Sequence, residues 1–229
     1  GVDLIYPDPG FIVNKKDDLS IRYLETIYMH LAVTSILSNN IHSAINFLQL
    51  GTNHDNLKEV LSFIINRVPP NKYAHDLLEI FDHLITQLPG SPELFTYKAL
   101  ILYEVLSDLP AAKESLYNAI LLDDTNANLH NRLGIVLYHQ QNLEEALHEF
   151  EEAILLGNFE PKAYYNKSCI LAMLGHTQAS LDYLQRAFVL DPSLISFAKW
   201  DTDFSSIKNH PQFLDLINMS ESEISIPLH

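Results

Sequence analysis

Several features common in other protein classes are scarce or absent in this chain of 229 residues. Its single cysteine, Cys169, excludes an intramolecular disulfide framework and a zinc site built from several thiolates. Only seven glycines are present, which argues against phosphate-cradling loops and folds with many tight turns. Apolar residues nevertheless make up 47% of the chain, enough for a substantial core. These features favour a folded protein built from long helices.

Basic residues are also scarce, since 14 Lys and Arg stand against 29 Asp and Glu, for a net charge of −15. Such a chain repels the phosphate backbone of nucleic acids and anionic lipid surfaces, so neither is predicted as a partner. No run of eighteen apolar residues occurs, so no membrane span is predicted. The first residues lack a basic segment followed by an apolar one, so we expect no signal peptide and a cytoplasmic location.

The motifs of common enzyme classes are missing as well. The sequence has no glycine-rich phosphate loop, no Gly-x-Ser-x-Gly elbow and no His-Glu-x-x-His zinc motif. His75, Glu79 and His83 share one face of a predicted helix, but that face is opposite the apolar stripe and is predicted to be solvated. Cys169 lies in a predicted helix and is interpreted as a structural residue or as part of a binding groove. We therefore predict no catalysis, no metal and no cofactor.

The chain does contain an internal repeat of 34 residues. Small and large apolar residues recur in fixed columns: Ala119, Ala153 and Ala187; Leu116, Phe150 and Leu184; Tyr103, Leu137 and Leu171. Within the second helical stretch of each unit, the small and large apolar columns are spaced as on one face of an α-helix. A short polar break divides each unit into two helical stretches, and Gly175 in the last break suits a left-handed position after a helix end. The pattern predicts stacked pairs of helices.

These columns resemble the tetratricopeptide repeat. The residues that carry the resemblance are Leu133-Gly134, Asn142 to Leu147, Phe150, Ala153 and the terminal Asp191-Pro192. It covers residues 93–192, in units at about 93–126, 127–160 and 161–194. The resemblance implies an all-α fold, a right-handed α-solenoid of antiparallel helix pairs. The chain departs from the family's pattern at Leu100, where a small residue is expected, and at Lys167, which replaces a leucine.

The flanking segments are predicted to extend this helical stack. Residues 17–92 are expected to form helices that include a degenerate repeat at 25–58, after an extended segment at 1–16. Residues 193–218 resemble the capping helices common behind such repeats, and a cap is needed because the last unit has no following neighbour. Residues 219–229 are expected to be a frayed tail.

The resemblance also implies where a partner binds, because in this family the first helix of each pair lines a concave groove. The groove residues identified by register are Tyr97, Lys98, Ile101, Asn128, Asn131, Arg132, Ile135, Tyr138, Lys162, Tyr165, Asn166 and Cys169. Asparagine amides can pair with the backbone of an extended peptide as donor and acceptor, and two of the cations can hold a carboxylate. The set departs from the carboxylate clamp of chaperone-binding members, so we expect no chaperone partner.

Function is therefore predicted as a noncatalytic scaffold or adaptor that binds a protein or peptide segment in the concave groove. Two alternatives stay open: a regulatory or targeting domain of a larger enzyme, and an assembly subunit or secretion chaperone. The second helix of one repeat carries a cluster of acidic residues that includes Glu149. This cluster is predicted to form a solvated convex face. The sequence identifies neither the partner nor the oligomeric state.

Overall fold

The computed structural model describes residues 18–157 and 160–219, and their side chains from residue 21 onward. Within these ranges the chain is helical and contains no strand, which confirms the predicted all-α class. The α-helices are α1 Asp18–Leu37, α2 Ile41–Gly51, α3 Leu57–Ile65, α4 Pro70–Gln87, α5 Pro92–Glu104, α6 Leu109–Leu122, α7 Ala127–His139, α8 Leu143–Leu156, α9 Pro161–Met173, α10 Thr177–Leu190, α11 Leu194–Ala198 and α12 Pro211–Asn218, with a 3₁₀ helix at Thr202–Ser206. None of these helices is long and apolar enough to cross a membrane.

The chain divides into two compact units, residues 1–94 and 95–229. In the first unit α1 and α2 pack as a pair, with α3 against α1 and α4 against α2. The buried face of α4 includes Leu77, Phe81 and Leu84, as the apolar stripe predicts, whereas Leu78 and Ile85 are only half-buried. The side chains of the His75, Glu79 and His83 group are exposed. The predicted segment 1–16 and nearly all of the predicted tail lie outside the described residues.

The second unit contains the helix pairs α7–α8 and α9–α10, which stack through contacts of α9 with α7 and α8, and α6 packs against α7 on the other side. This arrangement of paired antiparallel helices is typical of the tetratricopeptide repeat superhelix. The predicted domain boundaries, including the degenerate repeat at 25–58, stay predictions.

The turns that follow α5, α7 and α9 share a left-handed residue. A left-handed residue recurs every 34 residues at Ser107, Gln141 and Gly175, with φ of 55°, 64° and 80°. In the α7–α8 turn the Gln141 N–H donates to the Tyr138 carbonyl at 2.9 Å and the Asn142 N–H donates to the Leu137 carbonyl at 3.0 Å. This pair of bonds is the Schellman motif, which satisfies carbonyls left free at a helix end.

The α1–α2 turn of the first unit has the same geometry. Asn39 has a φ of 63°, and its N–H donates to the Ile36 carbonyl at 2.9 Å. The N–H of Asn40 donates to the Ser35 carbonyl at 2.8 Å, which completes the same motif. Asparagine tolerates this left-handed backbone better than most residues other than glycine. The turn therefore ends α1 in the same way as the turns that end α7 and α9.

The second unit buries some charged groups together with its apolar core. His130 Nδ1 lies 2.8 Å from Glu149 Oε2, and these side chains are only 12% and 14% exposed. The interpretation of Glu149 as part of a solvated face is therefore wrong, because this acid packs against the preceding helix. Lys167, where the family has leucine, is 6% exposed; its Nζ donates to Glu151 Oε1 at 2.7 Å and to the Tyr183 hydroxyl at 3.0 Å.

Replacing Lys167 by leucine is expected to leave the free energy of unfolding unchanged or to raise it by about 1 kcal/mol, because desolvation offsets much of the attraction in a buried ion pair. Glu151 is half-exposed, so water can solvate it once the lysine is gone. Urea unfolding followed by circular dichroism measures the change. A loss above about 1 kcal/mol would show that this ion pair is net stabilising.

Candidate functional site

The structure places the predicted groove residues at different depths in the second unit. Asn128 and Lys162 are exposed; Tyr97, Lys98, Arg132, Ile135, Tyr138 and Asn166 are half-buried; Ile101, Asn131, Tyr165 and Cys169 are buried. These side chains lie on α5, α7 and α9, and we call this surface the groove. The register thus identified residues on the first helix of each pair, while their accessibility varies.

Two side-chain contacts organise the middle of the groove. Asn166 Nδ2 donates to Asn131 Oδ1 at 3.0 Å, which joins α9 to α7. Arg132 Nε donates to Asn128 Oδ1 at 2.6 Å, so one turn of α7 orients the guanidinium group. Asn131 is only 3% exposed, yet within the described part of the chain its Nδ2 group donates no hydrogen bond.

A cavity of about 180 Å³ lies at the α9 side of the groove. It is lined by Ile135, Tyr138, His139, Phe150, Tyr165, Asn166, Cys169, Asp201 and Asp203. Five of these residues belong to the predicted groove set. Asp201 directly precedes the 3₁₀ helix and Asp203 lies within it, and this helix packs against α9. We call this space the aspartate pocket.

Hydrogen bonds fix both carboxylates of the aspartate pocket. The Tyr138 hydroxyl donates to Asp203, with its oxygen 2.9 Å from each carboxylate oxygen. The Tyr165 hydroxyl donates to Asp201 Oδ2 at 2.8 Å, and Cys169 Sγ lies 3.8 Å from the same oxygen. Asp201 Oδ1 also accepts the backbone N–H of Asp203 at 3.0 Å, which caps the 3₁₀ helix.

Burial sets the protonation of the groups around the aspartate pocket. It is the main cause that raises the pKa of the Cys169 thiol well above its usual value, and the nearby carboxylates raise it further. Burial and the carboxylates likewise raise the pKa of the Tyr138 and Tyr165 hydroxyls, which therefore stay donors. A thiol with a raised pKa is a poor nucleophile and a poor metal ligand.

Burial also raises the pKa of Asp203 above its ordinary value, and the charge of Asp201 adds to this effect. The hydrogen bond from Tyr138 and the proximity of His139 act in the opposite direction but do not outweigh burial. Ionised Asp203 therefore lies in an environment that disfavours its charge.

The Asp203→Asn variant is expected to gain stability relative to the wild type as the pH rises from about 4 to 7. With a raised folded-state pKa, the wild-type carboxyl is most favourable while protonated and loses stability as the pH rises through that pKa. Asparagine does not ionise, and its side-chain oxygen still accepts from Tyr138. Melting temperatures of both proteins across this range measure the difference. A difference that shifts in favour of the wild type with rising pH would contradict the assignment.

One potential metal-ligating group occurs among the described residues. Ligand atoms of Cys169, Asp201 and Asp203 lie within 4.8 Å of one another. The thiol stays protonated, however, and both carboxylates already accept hydrogen bonds from tyrosines. No histidine completes the set with the geometry that zinc requires, so we assign no metal to it.

Comparisons with known proteins identify the fold of these helix pairs. The sequence profile of the tetratricopeptide repeat matches residues 127–157 and 161–194. The chain contains tetratricopeptide repeats. The matched segments correspond to the second and third predicted repeats. The predicted first repeat, at 93–126, stays a prediction. A sequence comparison with curated proteins finds no match.

Solved structures of MamA share the fold. One, a crystal structure of MamA, superposes with a TM-score of 0.54 at 15% identity and covers 67% of this chain and 90% of MamA. A second MamA crystal structure gives a TM-score of 0.55 at 18% identity and covers 77% of this chain and 96% of MamA. At such identities the likeness shows the fold alone.

Sequence reasoning missed the two aspartates of the pocket. It interpreted residues 193–218 only as a cap over the last repeat. The available signal was Asp201, which precedes a short helix and therefore suits an N-cap. Nothing in the spacing indicates that this cap residue also accepts from Tyr165, 36 positions earlier.

Proposed function

We propose that the second unit binds an extended segment of a partner protein in the groove of α5, α7 and α9, without covalent chemistry. The observation that carries this proposal is the amide pair of Asn131 and Asn166. Asn131 is 3% exposed, and within the described part of the chain its Nδ2 donates no hydrogen bond, yet this atom is not among the fully buried unpaired ones, so it can still donate to a bound partner. The backbone carbonyl of a bound segment would complete this pairing.

Arg132 supports the same proposal. Its Nε is fixed by Asn128, so the guanidinium is held in place with less loss of side-chain entropy on binding. An oriented guanidinium donates two parallel hydrogen bonds to a carboxylate or single ones to peptide carbonyls. Arg132 also borders a smaller cavity of about 90 Å³, mostly lined by apolar residues such as Leu100, Leu116 and Val136. Apolar space beside fixed polar groups is the usual composition of a recognition site.

A noncatalytic role fits the chemistry of the groove. Burial raises the pKa of its cysteine, Cys169, and of the Tyr138 and Tyr165 hydroxyls, so these three groups stay protonated. The same binding mode would serve a regulatory or targeting domain of a larger enzyme, or an assembly subunit, and the full-length sequence would separate these cases. The cytoplasmic location stays a prediction from the sequence.

A peptide selection tests the proposal without knowledge of the partner. A phage-displayed library of random peptides is panned on the immobilised chain, and a selected peptide is titrated by fluorescence anisotropy. The groove variant is Arg132→Ala/Asn166→Ala, and the control is Glu144→Gln/Glu145→Gln, which changes two exposed acids of α8. Circular dichroism first establishes that all three proteins are equally helical.

The groove variant is expected to bind the peptide at least about tenfold more weakly, which corresponds to about 1.4 kcal/mol, because it loses the guanidinium of Arg132 and the Asn166 amide that holds Asn131 in place. The control is expected to bind as the wild type does. Equal affinity of all three proteins would place the peptide elsewhere and would contradict the proposal.

A further inference from the structure

We propose that the aspartate pocket receives the side chain of a lysine or arginine from the segment bound in the groove. This inference rests on the proposed function and adds the chemistry of one residue of the partner. The aspartate pocket lies beside Asn166, so a segment that pairs with the asparagine amides passes its opening.

The walls of the aspartate pocket suit the aliphatic part of a basic side chain. Ile135 and Phe150 offer apolar surface, and the aromatic side chains of Tyr138 and Tyr165 line the same space. Lysine and arginine bury their methylene groups along such surfaces while they keep the charged end beside a polar partner. Aromatic rings also attract a cation that lies over their faces. A purely apolar side chain could contact the same walls, but it would leave the two carboxylates without a cation.

The carboxylates supply charge complementarity. Within the described part of the chain, neither Asp201 nor Asp203 forms an ion pair. The tyrosine hydroxyls that bond the two carboxylates orient them without neutralising them. Two partly buried negative charges are unfavourable together, and a bound cation removes that cost.

Besides its carboxylates and tyrosines, the aspartate pocket is lined by two titratable side chains, His139 and Cys169. His139 lines it from α7 and lowers the pKa of Asp203, but it does not lie within ion-pair distance. Cys169 faces Asp201 from α9 as a thiol. The neighbouring 90 Å³ cavity shares Ile135 with the aspartate pocket and is bordered by Arg132 as well as Glu104. The neighbouring cavity thus has one group of each charge, whereas the aspartate pocket has two carboxylates and no lysine or arginine.

Asp203 is the residue to change in a test, because Asp201 also caps the 3₁₀ helix. Asp203→Asn removes one charge and keeps an oxygen for the Tyr138 hydroxyl. Glu144→Gln/Glu145→Gln is again the control, since it lowers the chain's net negative charge at exposed sites of α8. The random-peptide library is panned in parallel on the wild type, on Asp203→Asn and on this control, after circular dichroism confirms equal helicity.

Peptides selected by the wild type and by the control are expected to share a lysine or arginine at one aligned position, and Asp203→Asn is expected to lose that preference. In a synthetic peptide, replacing this residue by norleucine is expected to weaken binding about tenfold for the wild type and about twofold or less for Asp203→Asn. A basic preference that persists in Asp203→Asn, or that the control also loses, would overturn the inference and assign the preference to the chain's general acidity. Peptides without a basic position overturn the inference and leave the proposed function intact, whereas selection of no peptide overturns both.

Discussion

Replacing Phe150 by alanine is expected to lower the free energy of unfolding by about 3–5 kcal/mol. The ring is 1% exposed and lies in the α8 column that the repeat reserves for a large apolar residue. Truncation removes buried apolar area and leaves a cavity that the surrounding helices fill only in part.

The contact of Phe150 with Gly134 explains why the loss of unfolding free energy should lie near the upper end of this range. A Cβ atom at Gly134 would lie 2.5 Å from Phe150 Cε1, so the ring occupies space that only glycine leaves open. Close contact of α7 with α8 therefore depends on this pair. In the predicted repeat at 93–126, where Leu100 stands in the glycine column, the smaller Leu116 replaces the phenylalanine.

Urea unfolding of Phe150→Ala and wild type measures this difference. Leu155→Ala is the matched control, since Leu155 lies on the same helix but is 71% exposed, and it should change stability by less than about 0.5 kcal/mol. Similar losses for both substitutions would contradict the packing described for the α7–α8 pair.

Replacing Asp201 by alanine is expected to destabilise the chain by about 2–3 kcal/mol. The carboxylate accepts from the Tyr165 hydroxyl, approaches the Cys169 thiol and caps the 3₁₀ helix. Alanine leaves the donor of the buried Tyr165 without its acceptor and removes the cap, and each of these losses is unfavourable.

The same unfolding measurement includes two comparisons. Asp201→Asn keeps an acceptor of the same shape and should recover at least half of the loss. Asp215→Ala changes an exposed aspartate on α12 and should stay within about 0.5 kcal/mol of the wild type. If Asp201→Ala were as stable as the wild type, the segment before the 3₁₀ helix would not be held by these bonds.

The helices and turns of the second unit could be predicted because they depend on local, repeated chemistry. The 34-residue columns fix which face of each helix is buried, and Gly175 marks a left-handed turn residue. The structure shows that Ser107 and Gln141 adopt the same backbone at the equivalent positions. Neither serine nor glutamine by itself indicates a left-handed backbone. Only the alignment of these positions with Gly175 in the repeat could have predicted it.

The depth of the groove residues and the composition of the aspartate pocket could not be predicted in the same way. Register places Tyr165 and Cys169 on the first helix of a pair, but both are buried beside a segment that lies outside the repeat. Tyr138 meets Asp203 across 65 positions of sequence. Such a contact depends on the path of a nonrepeating segment, for which the columns carry no information.

Photo-crosslinking most directly tests the central claim that the groove of α5, α7 and α9 is the binding surface. A peptide selected on the wild-type chain is resynthesised with a benzophenone side chain, irradiated in the complex, and the crosslinked residues are identified by mass spectrometry. The account predicts crosslinks on α7 and α9, near Arg132 and Asn166, with few on α8. Crosslinks concentrated on α8 and α10 would contradict it.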